Sequence, residues 1–243
     1  MANKLLKFFK KAVELLTPGE FSCIVCGKEI FEGEMCADCA KEFFKNDKKR
    51  CVRCSRPTVS IDDVVCEQCK LIGETYYDKA FSPLLYTGVM LGLVRKFKYD
   101  ERRDIGVYLS KYMLEEFKNV PYVDVIVSVP MWSGKYQSRL YSTADELAKL
   151  ISKGTGIEYL KDAVIKTRDT GTQTELSGTE RLQNVKGSFR VKGRSLVKDK
   201  SILLVDDVFT TGATANEVAR VLKGAKADKV YVLTSAIALK KKE

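Results

Sequence analysis

Three features of the sequence predict an α/β fold, a parallel sheet with helices on both faces, preceded by a small cysteine-rich unit. Ile202-Leu203-Leu204-Val205 is an unbroken apolar run of the kind that forms a strand covered on both faces. Apolar residues recur at helical spacing around it, at Ala215, Val218, Ala219 and Leu222 and earlier at Ile105, Leu109, Met113 and Phe117. All eight cysteines lie between Cys23 and Cys69, so the chain divides into a cysteine-bearing front and a cysteine-free remainder.

With 243 residues, 45% of them hydrophobic, the chain can bury one core and carry a small second unit. Asn3 to Leu16 set Leu5, Phe9, Ala12, Val13 and Leu16 on one face of an amphipathic helix that Pro18-Gly19 ends, which defines an N-terminal segment 1–20. Lys7, Lys10 and Lys11 interrupt the apolar core a secretory signal would need, and no other apolar run is long enough to span a bilayer. A cytoplasmic protein without stable membrane insertion is expected. The formal charge is +10; coordinating two Zn²⁺ through eight thiolates would remove a net four charges and leave the chain basic. That balance suits phosphorylated ligands or a nucleic-acid backbone, and it equally suits plain solubility.

The cysteines form four C-x-x-C pairs, Cys23/Cys26, Cys36/Cys39, Cys51/Cys54 and Cys66/Cys69. Two intervening residues let both sulfurs of a pair reach one tetrahedral ion, and a reducing compartment keeps the thiols free for it. The chain has no histidine, so structural zinc must be Cys₄, and eight ligands supply two such sites. Sequential wiring joins Cys23, Cys26, Cys36 and Cys39 on one ion and Cys51, Cys54, Cys66 and Cys69 on the other; cross-bracing is the alternative. The sequential form closes shorter loops at lower entropic cost. Residues 21–72 therefore read as a double zinc ribbon, with Lys48, Lys49, Arg50, Arg53, Arg56 and Lys70 around its second half as candidates for DNA contact or for a solvated basic face.

Residues 73–243 read as the α/β domain. Val89, Leu93 and Phe97 trace one helix face, followed by a basic turn at Lys96 to Arg103 and the helix through Phe117. Val123 to Pro130 reads as a strand beside the Ile202 strand. Thr143 to Glu146 forms a capping box for a helix through Ile151, which Lys153 to Gly156 ends. Lys166 to Asn184 is polar and rich in threonine and glycine, with a second capping box at Ser177 to Glu180; its arginines and its place before Phe189 to Val191 suggest an active-site lid.

After Val205 come Asp206 and Asp207, then Thr210-Thr211-Gly212-Ala213-Thr214, and Gly224 as the stop of the next helix. Ionised carboxylates are costly inside a strand, so the acids are expected just past its C-terminal end, where open α/β sheets place their ligands. The turn offers hydroxyls and a glycine that lets amides approach an anion. An ordinary βα connection would also carry such residues, and an ATPase acid strand is set aside because no GxxxxGK[ST] occurs. The stretch resembles the signature of type I phosphoribosyltransferases: apolar strand, two acids, then T-T-G-x-T. That resemblance implies a type I phosphoribosyltransferase-like sheet in which Asp206 and Asp207 hold the ribose hydroxyls of phosphoribosyl diphosphate (PRPP) and Thr210 to Thr214 wrap its 5′-phosphate. It also implies Mg²⁺ at the diphosphate; Arg139, Arg168 and Arg181 are the cations the sequence offers as candidate diphosphate contacts, surface arginines being common.

Cysteine pairs in front and this signature behind make the whole chain similar to the ComF family of competence and DNA-uptake proteins. Tyr86-x-Gly88 with Lys98-Tyr99, and Thr170-x-x-Gln173-x-x-Leu176 with Arg181, Asn184 and Phe189, resemble family elements. Val129, Pro130, Arg139 and Tyr141 keep part of a further one, whereas Trp132, Leu140, Ser142 and Thr143 depart from it near the expected pyrophosphate loop. The resemblance implies a PRPP-binding module serving DNA uptake through single-stranded DNA or uptake proteins. The intact ribose-phosphate signature equally fits a working transferase in which Asp206 and Asp207 are catalytic and an unread base or amine is the acceptor.

Overall fold

The computed structural model describes residues 21–58, 65–134, 140–170 and 184–239. The predicted helix at 3–16, the capping box at Ser177, Arg139 and Arg181 lie outside the described residues. The chain divides into two compact units, Met1–Phe43 and Phe44–Glu243, so the second cysteine cluster belongs to the larger unit.

In the smaller unit, strands β1 (Phe21–Ser22) and β2 (Glu29–Ile30) pair antiparallel, and helix α1 (Ala37–Lys41) starts directly after Cys36.

The larger unit opens with helix α2 (Glu67–Ile72), short strands β3 (Lys79–Phe81) and β4 (Leu84–Leu85), and helices α3 (Val89–Tyr99) and α4 (Arg103–Phe117). Strand β5 (Val125–Ser128), helix α5 (Thr143–Thr155), β6 (Glu158–Tyr159), β7 (Val164–Lys166), β8 (Phe189–Val191) and α6 (Arg194–Val197) follow. Strand β9 (Ile202–Phe209), helix α7 (Ala213–Gly224) and β10 (Val230–Ile237) complete it. The main sheet runs β3-β10-β9-β5-β6 with β4 also on β10, and every pairing is parallel. The predicted neighbour of the Ile202 strand is indeed β5, with Val125 opposite Ile202 and Ser128 opposite Val205.

Burial explains the unbroken apolar run. Ile202, Leu203, Leu204 and Val205 are all fully buried, and side-chain alternation sends Ile202 and Leu204 into the cluster that holds Val218 and Leu222 of α7. The opposite face is covered by helices whose buried positions keep the 3.6 period, such as Ala144, Leu147, Ala148 and Ile151 of α5. Each fully buried valine, leucine or isoleucine side chain contributes about 1.5–3 kcal/mol.

Several local expectations change. Asp206 and Asp207 lie inside β9, which continues to Phe209 because β10 goes on pairing with it, Thr234 opposite Asp206 and Ile237 opposite Phe209. Lys96 to Tyr99 complete α3, and the turn is confined to Asp100–Arg102. The cap of α5 is Ser142, whose Oγ accepts from the Asp145 N–H at 3.3 Å, and the helix runs on to Thr155 before Gly156. Gly224 is the last helical residue of α7, and the left-handed turn falls at Lys226.

Candidate functional site

Both cysteine clusters assemble in sequence order. The sulfurs of Cys23, Cys26, Cys36 and Cys39 lie within 4.8 Å of one another, as do those of Cys51, Cys54, Cys66 and Cys69. Four thiolates around zinc at about 2.3 Å stand about 3.8 Å apart; Cys26–Cys36 are 3.8 Å apart and Cys54–Cys66 3.6 Å. The residues therefore fit Cys₄ zinc, and only the sequential wiring matches this placement. The two knuckles repeat one backbone pattern. Cys23 N donates to Lys28 O and Gly27 N to Cys23 O, while Cys51 N donates to Arg56 O and Ser55 N to Cys51 O. The residue after each knuckle takes a left-handed conformation, glycine at Gly27 (φ 76°) but serine at Ser55 (φ 62°).

The acid pair sits where β9 has lost one neighbour. The β5 register ends at Ser128 opposite Val205, so from Asp206 onward β10 is the one strand among the described residues that pairs with β9. Consecutive strand residues face opposite ways. Asp207 turns toward α5 and α3, where Thr143 Oγ1 donates to its Oδ2 at 2.5 Å and Lys98 Nζ lies 2.9 Å from Oδ1. Its backbone carbonyl accepts from Ser235 Oγ at 2.6 Å, and its N–H donates to Asp206 Oδ1 at 2.8 Å. Burial, and then the charge of Asp207, push the Asp206 carboxyl up to about 7, against the pull of Lys98 and Lys166. Tyr86 feels the charges of both Lys98 and Asp207, and burial raises its hydroxyl.

Beyond β9 the chain turns through Thr210 and Thr211 into Gly212, which sits at φ +83° and caps α7. Ala213 N donates to Thr211 Oγ1 at 3.3 Å and Asn216 N to Gly212 O at 2.8 Å. The first amides of α7, including that of Thr214, thus face the turn at the positive end of a helix. Acids, hydroxyls, left-handed glycine and helix start thus follow one another at the C-terminal end of β9.

Arg168 donates to the carbonyls of Asn184 and Lys186 at 2.8 and 3.0 Å, at the root of the 171–183 segment that β7 and β8 bracket. The basic residues of the second ribbon are partly consumed by the fold. Arg50 pairs with Glu116 at 2.8 Å, Arg53 donates to the carbonyls of Cys69 and Gly73, and Arg56 donates to those of Thr210 and Ala238. The sequence by itself gives Lys98 and Thr143 no role at the acid pair, where the structure places both on Asp207. The Lys98-Tyr99 element holds a signal for the first, and the place of Thr143 beside the expected pyrophosphate loop holds a weaker one for the second.

Fold and site together define a class: a type I phosphoribosyltransferase fold carrying a double zinc ribbon. Residues 138–243 match the family model for a phosphoribosyl transferase domain, and residues 12–70 that for a double zinc ribbon domain. Over most of its length the chain is also similar to DNA-utilisation and competence proteins. It is 29% identical over 229 residues to the DNA utilization protein YhgH of Escherichia coli, covering 90% of this chain and 98% of that protein. Competence protein F of Haemophilus influenzae is 26% identical over 86% of this chain and 87% of its own length. Competence protein ComFC of Streptococcus pneumoniae is 25% identical over 82% and 86%. Among the described residues, no helix is long and apolar enough to cross a membrane.

Proposed function

We propose that this chain binds PRPP with Mg²⁺ at Asp206, Asp207 and the turn Thr210, Thr211, Gly212, Ala213 and Thr214, and that it serves DNA uptake or utilisation through single-stranded DNA or uptake proteins. The observation that carries the ligand reading is the acid pair near the C-terminal end of β9, followed within five residues by a left-handed glycine and a helix start. Carboxylates so placed accept from two adjacent ribose hydroxyls, and the turn's amides and hydroxyls take a phosphate. Mg²⁺ supplies charge neutralisation at diphosphate oxygens, and Asp206 and Asp207 are the groups that would hold it beside the sugar. Calorimetric titration with PRPP and Mg²⁺ should give saturable binding. Loss of a charged hydrogen bond costs about 1.5–3 kcal/mol, so Asp207→Ala weakens binding roughly tenfold or more. Unchanged affinity in the Asp206→Ala, Asp207→Ala double variant would remove this site.

The names of the relatives support the DNA half of the reading. Because Arg50, Arg53 and Arg56 are engaged in the fold, a nucleic acid would meet the exposed Lys48, Lys49 and Lys70. Such binding is weak, tolerant of sequence and steeply salt-dependent. Flat salt dependence would sink it. The complete ribose-phosphate end of the site also favours a second reading, a transferase passing the phosphoribosyl group to a base or amine with release of pyrophosphate. Acceptor-dependent pyrophosphate release that Asp207→Ala abolishes selects the transferase; PRPP binding without release selects the binding module.

A further inference from the structure

The second cysteine cluster is tied to the phosphate turn by contacts that the first knuckle's sequence lacks the residues to make. Where the first knuckle continues Gly27-Lys28, the second continues Ser55-Arg56. Ser55 accepts a left-handed backbone at φ 62° although it is not glycine, and its side chain has a use there: Oγ donates to Ala80 O at 2.7 Å, next to the core. Its carbonyl accepts from Asn46 Nδ2 at 2.8 Å, which fixes the knuckle further. The following residue, Arg56, is only 7% exposed, and its carbonyl accepts from Cys51 N at 2.7 Å.

The Arg56 guanidinium spans two ends of the site. Its NH2 group donates to Thr210 O at 2.7 Å and Nε to Ala238 O at 3.1 Å, while Ala238 N closes back on Phe209 O at 2.8 Å. A trans peptide holds its C=O and N–H in opposite directions. Fixing the Thr210 carbonyl on Arg56 therefore turns the Thr211 N–H away from Arg56. Two further contacts reach the same turn from the end of the ribbon. Tyr77 meets the Phe209 ring edge-on at 5.9 Å, and Tyr76 N donates to Asn216 Oδ1 at 2.7 Å.

We propose that Arg56 is a positioning residue for the phosphate turn, through which the second cysteine cluster sets the direction of the amides that meet the ligand's 5′-phosphate. The inference rests on the PRPP reading for the identity of the ligand but not for the mechanical coupling. An anion cradle of backbone amides works only if its peptide planes are held before the ligand arrives, and a buried bidentate arginine is a rigid means of holding two carbonyls.

The test compares wild type, Arg56→Met and Arg56→Lys in the full zinc-loaded chain. Amide hydrogen exchange is read over residues 209–214, with the strand 125–128 as internal reference, and PRPP–Mg²⁺ affinity is read by calorimetry alongside zinc content. The expected result is faster exchange at 209–214 with the reference strand unchanged and zinc retained, and a PRPP dissociation constant raised about tenfold or more, as for loss of hydrogen bonds from a charged donor. Arg56→Lys, which keeps the charge but not the two-pronged donation, falls between, and it replaces Arg56→Met should the latter fail to fold. Exchange at 209–214 equal to wild type overturns the inference. A wild type that does not bind PRPP refutes the ligand reading instead, and the exchange comparison still decides the coupling.

Discussion

Gly212 offers a perturbation whose size can be worked from the geometry. The residue sits at φ +83°, and a Cβ placed on it would lie 2.6 Å from Phe209 Cζ. Phe209 has nowhere to go: it is 3% exposed and its ring is held edge-on by Tyr77. For Gly212→Ala the left-handed backbone costs about 1–2 kcal/mol and the overpacked ring about 1–3 kcal/mol, together about 2–5 kcal/mol of stability. That is a large share of the roughly 5–15 kcal/mol that holds a domain folded. Gly224→Ala is the matched control. Gly224 is exposed, lies in the last turn of α7 without a left-handed backbone, and has nothing within 4 Å of a built Cβ. The same chemical change should there stabilise by up to about 1 kcal/mol. Urea unfolding of the zinc-loaded protein, followed by far-ultraviolet circular dichroism, measures both. Equal midpoints for the two variants, or a Gly212→Ala midpoint matching wild type, would refute the reasoning.

Asp206 carries a pH signature. Its carboxyl is raised from 3.8 to about 7, so the folded state binds the proton more tightly than the unfolded chain. Stability without ligand should therefore fall as pH rises through that window, and Asp206→Asn should flatten the fall; Asp207, Lys98 and Lys166 are the charges that face it. Thermal midpoints across the window check this. Lys98→Met leaves Asp207, 7% exposed, with Thr143 as its described side-chain partner, which should cost about 1–3 kcal/mol in denaturant unfolding. Mg²⁺ should at the same time bind more tightly to the more negative pair, and an unchanged midpoint with unchanged Mg²⁺ affinity would count against the contact. Elemental analysis should return two equivalents of zinc per chain, and disulfides with zinc near zero would end the Cys₄ reading. A chain beginning at Phe44 should fold with one zinc. One beginning at residue 73 should melt at a lower temperature despite its own strands and helices, because Glu116 loses Arg50 and the carbonyls of Thr210 and Ala238 lose Arg56.

The sequence alone was enough where the determining interactions are close along the chain. A knuckle of two cysteines closes within four residues, so spacing forecast both Cys₄ clusters. The apolar run Ile202 to Val205 demanded cover on both faces, and the turn after it carried its own glycine and hydroxyls. What depends on sheet order was out of reach of any local window. β9 reaches Phe209 because β10 keeps pairing after the β5 register has stopped, which puts the acids inside a strand. Thr143 meets Asp207 across 64 residues and Arg56 meets Thr210 across 154. A basic residue beside a ribbon looks the same in sequence whether it faces nucleic acid or a buried carbonyl. Tertiary packing decided that for Arg56, because a guanidinium shut away from water must find acceptors and the fold supplied them, while the half-buried Arg50 was drawn to the buried Glu116.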